Sequence, residues 1–497
     1  MRAHRPAVVV AASFLLMAGA AAVAPSAHAG TPGGTHADDR NSDFNGDGYE
    51  DVLIGAPGGT IGGKKGAGYV TVQYGGPGGI GTTRGAVLSQ NTTGVPGAAE
   101  AGDGFGRALA SGDLDGDGYD DAVVGLPGEN LEPVTDAGGV VVLWGSAKGL
   151  SGVDSDWLQA EEPAAGARFG SALAAAHFSP DIPGDQLAVT DRTDLSLYQY
   201  DAAARRMPAS PAPAARSSLI PGTPGREIVP RAMTTGDYDG NGLADLVISG
   251  VTVGGEPGHG WSALFLGEVQ GLRYDHDLRG GPAVASGDID NDGYDDLVTG
   301  EPGSPDDGGD SMTGGVVGVY YGSLGDGPVG SEGPGTPPVW WTQDTAGVPG
   351  AAEAGDGWGA DLSVADTDGD GYADVAVGAP GEDIGTVADA GAVWVLRGAA
   401  GGLTATRAAS WDQDSANVPG APEKGDRWGG QVRLTDPDKD GRFGLLSAAP
   451  GENAGNGVAW VFSAGTGGVT ASGSWTFDAR PFGGPETGAG YGATIDE

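Results

Sequence analysis

The sequence predicts an all-β protein built from seven copies of one small antiparallel sheet. An aspartate- and glycine-rich loop recurs along the chain, and 70 residues separate Asp43 from Asp113 and Asp366 from Asp436, the first residues of two pairs of consecutive loops. Short apolar runs bounded by turn residues fill the intervals, as in three or four short strands. A helical period of 3.6 residues is not evident in the chain beyond its first 30 residues. A fixed repeat period identifies a repeat architecture, so each unit is predicted to be one sheet.

The unit that contains the stretch 105–127 shows this pattern most clearly. Apolar runs at 108–111, 122–124 and 140–144 are its predicted strands, and glycines and aspartates separate them. Glycine and aspartate are typical turn residues, because glycine permits positive φ and aspartate hydrogen-bonds to nearby backbone. The loop between the first two runs is the part with recognisable chemistry.

This loop has acidic residues at its positions 1, 3, 5 and 9 and a glycine at position 6. Carboxylates on alternate residues of a tight turn converge on one point, and the backbone carbonyl of position 7 can add another oxygen. Oxygen ligands without nitrogen or sulfur favour Ca²⁺ over zinc or copper, and their number exceeds what Mg²⁺ usually takes from protein. The predicted Ca²⁺ ligands in this second loop are Asp113, Asp115, Asp117, Tyr119 (through its carbonyl) and Asp121.

Four other loops have the same pattern, so we expect about five bound Ca²⁺ ions. Their predicted ligands are Asp43, Asn45, Asp47, Tyr49 and Asp51 in the first loop, Asp237, Asp239, Asn241, Leu243 and Asp245 in the fourth, Asp288, Asp290, Asp292, Tyr294 and Asp296 in the fifth, and Asp366, Asp368, Asp370, Tyr372 and Asp374 in the sixth. The third place, residues 177–185, has lost its ligands, and the seventh has Gly444 at position 9. We expect weak or no binding at these two places.

Two other interpretations of the loops were weighed. An EF-hand needs flanking helices and an acid at position 12, where the first two loops have Ile54 and Val124. A single loop of this kind is more often an ordinary turn held by aspartate side chains, but five copies favour metal binding. A structural role for calcium is favoured over a regulatory one, since each ion would neutralise clustered carboxylates and hold a hairpin.

The units also share longer stretches of sequence. VPGAAEAGDGFG at 95–106 recurs almost unchanged at 348–359 and again, as VPGAPEKGDRWG, at 418–429. DAGGVVVLWG at 136–145 matches DAGAVWVLRG at 389–398. Segments this similar are expected to occupy equivalent places in their units.

These units resemble FG-GAP repeats, which occur in the head of integrin α subunits and in many secreted bacterial proteins. The aromatic–glycine pairs that carry the resemblance are Phe105-Gly106, Phe169-Gly170, Trp358-Gly359, Trp428-Gly429 and Tyr491-Gly492. The Gly-Ala-Pro-like triplets are at 55–57, 125–127 and 378–380, with the calcium loop between pair and triplet. The resemblance covers nearly all of residues 43–497 and implies a seven-bladed β-propeller with calcium in hairpin loops on one face.

The two ends of the repeat region complete each other. No aromatic–glycine strand precedes the first loop, whereas residues 491–497 form a predicted strand with no loop behind it. Pairing this C-terminal strand into the first blade would close the ring and remove an exposed sheet edge. We therefore assign residues 43–497 to the propeller, with irregular insertions at about 201–230 and 303–338.

The N-terminal segment predicts export. Residues 1–29 combine Arg2 and Arg5 with an apolar run and a small-x-small cleavage site, which is typical of a secretory signal peptide. Residues 30–42 are polar and glycine-rich and are expected to be a disordered lead. No later segment has the apolar length of a membrane span. A secreted, extracellular protein meets enough calcium to fill weak sites.

Composition excludes several classes of function. The formal net charge of −42 repels nucleic acid and anionic membranes and attracts cations. The absence of cysteine excludes disulfides and thiol chemistry. No nucleophile elbow, zinc-protease motif or P-loop is present, so no catalytic residue is predicted and an enzyme is not expected.

The predicted function is a secreted calcium-binding β-propeller that serves as a non-enzymatic binding or adhesion module for a protein or glycan ligand. A monomer is expected. Two alternatives stay open: a secreted hydrolase of polysaccharide or phosphoester with an acid pair on the propeller, and a multivalent lectin with equivalent sugar sites. Fold-level analogy with integrins suggests adhesion without establishing it.

Overall fold

The computed structural model describes residues 42–180, 182–208, 216–217, 227–252, 260–303, 313–330 and 335–496. The signal peptide predicted at 1–29 and all of the expected lead except Ser42 lie outside these residues. The described chain folds into seven four-stranded antiparallel sheets. The innermost strand of each sheet contacts the innermost strand of the next, so the sheets form a ring. The predicted all-β, seven-bladed propeller is confirmed.

The strands follow the chain in order from the inside of each blade to its outside. The first three blades contain β1 Val52–Ala56, β2 Tyr69–Gln73 and β3 Gly85–Leu88; β4 Ala108–Gly112, β5 Asp121–Leu126, β6 Gly139–Leu143 and β7 Asp156–Leu158; and β8 Ala172–Ala176, β9 Gln186–Thr190, β10 Leu195–Gln199 and β11 Arg216–Ser217. The three apolar runs predicted as strands in the second blade correspond to β4, β5 and β6.

The remaining blades have the same plan. They contain β12 Ile228–Gly236, β13 Asp245–Thr252, β14 Trp261–Glu268 and β15 Gly271–Arg279; β16 Ala283–Gly287, β17 Asp296–Glu301, β18 Val316–Tyr320 and β19 Val339–Trp341; β20 Asp361–Ala365, β21 Asp374–Ala379, β22 Ala392–Arg397 and β23 Thr404–Trp411; and β24 Gln431–Thr435, β25 Gly444–Ala449, β26 Val458–Gly465 and β27 Gly468–Phe477. Helix in the described residues is limited to α1 Glu452–Gly455 and a 3₁₀ turn at Arg480–Phe482. No helix among these residues has the length and apolarity to cross a membrane.

The core lies between neighbouring blades. The second and third strands are buried along their whole length in most blades, as in β5 and β6, because each sheet packs both faces against other sheets. This explains why these strands are continuous apolar runs without polar alternation. One cluster, for example, joins Leu53 and Val70 of the first blade to Val124 and Val141 of the second.

The aromatic–glycine pairs join each blade to the preceding one. Phe105 is fully buried, and its N–H donates to the carbonyl of Ala67 in the first blade at 2.9 Å. Gly106 has φ +85° and donates to the carbonyl of Gly125 at 3.2 Å. A Cβ on Gly55, in the Gly-Ala-Pro triplet, would lie 2.2 Å from the carbonyl oxygen of Gly106. Both glycines are required by close contact between blades.

The C-terminal strand closes the ring as predicted. β28, Thr494–Ile495, pairs antiparallel with β1, with Ile495 opposite Ile54 and Thr494 opposite Gly55. The first blade therefore has the strand order β28-β1-β2-β3. Its inner strand comes from the opposite end of the chain.

A buried ionic network fixes this closure. The Oδ1 of Asp496 accepts a hydrogen bond from the N–H of Leu53 at 2.8 Å, and its Oδ2 accepts one from the hydroxyl of Ser42 at 2.9 Å. Arg433 of the seventh blade forms ion pairs with Asp496 at 2.9 Å and with Glu50 at 2.6 Å. Burial raises the pKa of Asp496, and the Arg433 guanidinium opposes that rise. Ser42, the last residue of the expected lead, is thus part of the fold.

Two segments expected to be insertions contain strands of the blades. Arg216–Ser217 pairs with β10 as the outer strand of the third blade. Val316–Tyr320 is β18, the third strand of the fifth blade. Its apolar run was overlooked because glycine-rich sequence surrounds it. Trp340 and Trp341 lie in the outer strand β19, and Trp341 has the place held by Trp157 and Trp411 in other blades.

We expect Arg433→Met to lower the free energy of unfolding by about 3–5 kcal/mol, because it leaves the carboxylates of Glu50 and Asp496 buried and uncompensated. Urea denaturation of the purified chain measures this loss. Arg273→Met is the matched control, since Arg273 forms a 2.5 Å ion pair with Glu268 in which both side chains are about half exposed. The control should lose less than about 1 kcal/mol. Equal losses would show that the closure does not depend on this ion pair.

Candidate metal centres

The aspartate loops are the hairpins between the first and second strands of each blade, and they form a continuous ring. The carbonyl at loop position 1 accepts a hydrogen bond from the N–H at position 8 of the next loop. These bonds, of 2.8–3.2 Å, join Asp43 to Asp120, Asp113 to Asp185, His177 to Ala244, Asp237 to Asp295, Asp288 to Ala373 and Asp366 to Phe443. The third place is therefore structurally equivalent to the others although it has lost its ligands.

Acidic side chains at position 8 strengthen two of these links and supply a seventh. The Oδ2 of Asp120 accepts a hydrogen bond from the N–H of Asp43 at 2.6 Å, and Asp295 binds the N–H of Asp237 in the same way at 2.8 Å. Glu50 accepts from the N–H of Asp436 at 2.6 Å, which carries the ring across the closure. This role of position 8 is not predicted from the sequence. Its only sign in the sequence is an acid that follows position 7.

Position 1 organises the turn of each loop. In the second loop the Oδ1 of Asp113 accepts hydrogen bonds from the N–H groups of Gly116 and Asp117, at 2.8 and 3.0 Å. Its Oδ2 accepts from Gly118 at 2.9 Å, and Gly118 has φ +89°. The glycine at position 6 is therefore needed for its positive φ, as predicted.

Position 9 ties the loop to the end of the third strand. The Oδ1 of Asp121 accepts a hydrogen bond from the N–H of Gly145 at 2.8 Å, and its Oδ2 accepts from Leu114 at 3.0 Å. Asp51, Asp245, Asp296 and Asp374 accept the equivalent bond from the glycine after their own third strand, at 2.8–2.9 Å. Backbone N–H groups therefore hold this aspartate in place without a bound ion.

The structure brings three carboxylates together in each of the five predicted loops, with one oxygen from each lying within 4.8 Å of the others. The groups are Asp43, Asp47 and Asp51; Asp113, Asp115 and Asp121; Asp237, Asp239 and Asp245; Asp288, Asp290 and Asp296; and Asp366, Asp368 and Asp370. These groups can hold a metal ion. Positions 1, 3 and 9 meet in three loops, positions 1, 5 and 9 in the first, and positions 1, 3 and 5 in the sixth.

The other predicted ligands serve the turn itself in the structure. The N–H of each position 7 residue donates to the side-chain oxygen of position 5 at 2.8–3.2 Å, for Tyr49, Tyr119, Leu243, Tyr294 and Tyr372. The acceptors at position 5 are Asp47, Asp117, Asn241, Asp292 and Asp370. Asn45, at position 3 of the first loop, donates to the carboxylate of Asp51 at 3.1 Å.

The electrostatics of the loops fit a hard cation. Burial, together with neighbouring acids, raises the pKa of Asp51 and Asp245 to about 8. Burial also raises the pKa of Asp121 and Asp296 well above the ordinary range. The Oδ1 of Asp290 is buried and accepts no hydrogen bond from any described residue. Convergent, desolvated carboxylate oxygens are the donor set that Ca²⁺ takes in proteins.

The sixth loop differs from the other four because two arginines lie beside its acids. The buried Arg397 donates to the Oδ2 of Asp374 at 2.5 Å and also bonds to Thr367. Arg407 donates to Asp368 at 2.9 Å. Arg397 stands where the matching segment of the second blade has Trp144. A guanidinium beside two of the predicted ligands opposes cation binding, so this loop fits Ca²⁺ less well than the other four.

Comparisons with known proteins agree with this geometry. The FG-GAP repeat family matches four stretches of the chain, residues 41–72, 105–143, 280–327 and 358–396. These stretches contain the first, second, fifth and sixth loops.

Two individual proteins are similar to parts of the chain. Phosphatidylinositol-glycan-specific phospholipase D of Bos taurus is 34% identical over 110 residues, which are 22% of this chain and 13% of that protein. The chain thus matches only a small part of this relative. A rhamnogalacturonan lyase, PL11, of Bacillus licheniformis aligns with 12% identity and a TM-score of 0.33 over 71% of this chain and 74% of its own. A likeness this distant supports no conclusion about activity. The chain thus has a seven-bladed β-propeller fold, and four of its blades contain FG-GAP repeats.

Proposed function

We propose that this protein is a secreted, calcium-stabilised β-propeller that acts as a non-enzymatic binding or adhesion module for a protein or glycan. The observation that carries the proposal is the ring of five carboxylate clusters at one end of the propeller. Their acids are positioned by backbone donors and desolvated, so they suit a structural cation better than catalysis. The predicted leader at 1–29 supports export to a compartment where calcium is plentiful.

Each loop residue has a defined part in holding the ion. The carboxylates at positions 1 and 9 are fixed by backbone N–H groups, and those at positions 3 and 5 complete the cluster. A bound Ca²⁺ ion would supply the positive charge that lets these acids ionise together. Position 8 of one loop is hydrogen-bonded to position 1 of the loop before it. An ion that fixes the backbone of one hairpin therefore also restrains the backbone of its neighbour. Ligand-binding surfaces elsewhere on the ring depend on this restraint.

A hydrolase is the alternative that one observation favours. A central cavity of about 550 Å³ is lined by the inner strands and contains the neighbouring acids Asp120 and Asp185. Burial raises the pKa of Asp185 well above its ordinary range, and Asp120 raises it further. A protonated acid near a second carboxylate is an arrangement that glycoside hydrolysis uses. Any hydrolytic activity should then disappear in Asp185→Asn.

The test of the proposed function is thermal unfolding of the mature chain in excess calcium and in chelator, together with a count of bound metal. Removal of calcium should lower the Tm by about 10 °C or more, because loss of a bound ion removes its linked stabilisation. Five or fewer loop ions are expected, with the sixth loop the weakest. An unchanged Tm in chelator would show that the aspartate loops are only turns.

Ligand class is tested with the labelled chain on a glycan array and on a panel of purified extracellular matrix proteins, each in calcium and in chelator. Calcium-dependent binding to one class without turnover supports the binding module. Release of product from a panel of chromogenic polysaccharide and phosphoester substrates, abolished in Asp185→Asn, would establish the hydrolase in its place. Equal binding of one sugar by several blades would identify a lectin.

We expect Asp117→Ala to lower the Tm in calcium by several degrees and to remove about one bound ion, since it deletes a predicted ligand of the second loop. Asp440→Ala is the matched control, because Asp440 is at the same position of the ligand-poor seventh loop. Both residues accept a hydrogen bond from the N–H two residues later, at 3.1 and 2.9 Å. The control should leave the metal count unchanged. Identical effects of the two substitutions would contradict a calcium site in the second loop.

We expect Arg397→Gln to convert the sixth loop into a calcium-dependent one. Without the guanidinium, Asp374 is left as a buried, uncompensated acid, so the variant should be less stable than the parent chain in chelator, by about 3 kcal/mol. Calcium should restore most of this loss and should bind the variant's sixth loop more tightly. Denaturation curves with and without calcium measure both effects. A loss that calcium does not restore would indicate that Arg397 acts through packing.

A further inference from the structure

The near-identical segments at 90–106, 343–359 and 413–429 build a second kind of polar cluster, which the hairpin loops do not explain. Each cluster, here called a junction cluster, combines a glutamine and an aspartate of the segment with a glutamate of the next blade. The three clusters are Gln90, Asp103 and Glu129; Gln343, Asp356 and Glu382; and Gln413, Asp426 and Glu452. They lie at the junctions of blades one and two, five and six, and six and seven.

The junction clusters lie at the end of the propeller opposite the hairpin loops. In each, the glutamine follows the outermost strand of one blade and the glutamate follows the second strand of the next. In an antiparallel blade both of these strands run away from the hairpin loop that joins its first two strands. The clusters therefore bridge neighbouring blades at the far end of the ring.

The three clusters share the same hydrogen bonds. The glutamine Nε2 donates to the glutamate Oε2 at 2.9 Å in every copy. The aspartate Oδ2 accepts from the N–H three residues earlier, at 2.5–2.6 Å. The same geometry in three places shows that the repeated sequence specifies this arrangement.

Each glutamine keeps one oxygen unsatisfied. Gln90, Gln343 and Gln413 are only 4%, 1% and 3% exposed, and their Oε1 atoms accept no hydrogen bond from any described residue. The Oδ1 of Asp103 is also buried and accepts no hydrogen bond from any described residue. A buried acceptor without a donor costs about 1–3 kcal/mol. Its recurrence in three copies points to a ligand that these oxygens bind.

Three oxygens of the fifth–sixth junction lie close together beside Gly314. The position that a Cβ on Gly314 would occupy lies 2.7 Å from the carbonyl oxygen of Glu353 and 3.2 Å from both Asp356 Oδ2 and Gln343 Oε1. The carboxylate of Glu382 is hydrogen-bonded to the same glutamine. Amide, carboxylate and backbone oxygens together form an all-oxygen donor set, which selects a hard cation over a soft one.

The charge of the clusters also favours a cation. Burial raises the pKa of Glu129, Glu382 and Glu452 to about 7. The neighbouring aspartate of each cluster contributes to this rise. Two acids are thus held side by side with partial desolvation, and a positive charge between them would relieve their repulsion.

We propose that the junction clusters are three further Ca²⁺ sites, separate from the hairpin loops, that hold neighbouring blades together at the opposite end of the ring. The glutamine Oε1, the aspartate and glutamate carboxylates and a backbone carbonyl supply the protein ligands, and water completes a coordination number of about six to eight. These sites do not depend on whether the hairpin loops bind calcium.

The direct test is a crystal structure of the mature chain soaked with Tb³⁺ in place of Ca²⁺, with anomalous difference maps. Peaks are expected within about 2.3–2.6 Å of Gln343 Oε1 and at the two equivalent glutamines. A map with peaks at the hairpin loops and none at the junctions would overturn this proposal while leaving the proposed function intact. Peaks at the junctions alone would support it and contradict the loop sites.

A count of bound calcium in solution gives an independent test. Gln343→Met and Gln413→Met should each lower the number of ions per chain by one. Asp344→Asn is the control, because it removes a charge from an exposed side chain of the same segment and keeps the oxygen that accepts a backbone hydrogen bond. Should Gln343→Met fail to fold, Asp356→Asn tests the same site and keeps the acceptor for the N–H of Glu353. Folded variants that bind as much calcium as the parent chain would overturn the proposal.

Discussion

Contact between the faces of neighbouring blades is the constraint on which the rest of this structure depends. A four-stranded blade has two apolar faces, and only a closed ring covers both. Close packing explains the paired glycines at Gly55 and Gly106, where a side chain would strike the next blade's backbone. It also explains why the last strand completes the first blade: an open ring would leave one blade with a bare face and an unpaired edge.

The chain is highly acidic, and many of its carboxylates are buried where blades meet. Each buried carboxylate needs a hydrogen-bond donor or a positive charge, and the structure supplies several kinds of partner. Backbone N–H groups hold the acids at positions 1 and 9 of the loops, Arg433 compensates Glu50 and Asp496, and Arg397 compensates Asp374. Where neither kind of partner is sufficient, carboxylate and amide oxygens converge in the way that hard cations favour. Compensation of the buried acids and packing of the blades are thus parts of the same solution.

The sequence predicted the features that repeat within a unit. Loop spacing located the strands of most blades and the closing strand, and the acids at positions 1, 3, 5 and 9 predicted the clusters. Features that depend on contacts between distant units were missed. Arg397 resembled an ordinary strand residue, and β18 was hidden by its glycine-rich surroundings. The glutamine and the glutamate of each junction cluster belong to neighbouring blades. The sequence pattern within one repeat therefore does not show that they are in contact.

The closing strand has a consequence for how the protein is made. β1 ends at Ala56, but its inner neighbour, Thr494–Ile495, is synthesised more than 400 residues later. At roughly 5–20 residues per second, the nascent first blade spends tens of seconds with an unpaired edge. During that interval the emerging chain is open to strand exchange with other molecules. Its strong negative charge keeps such chains apart until the closing strand is made.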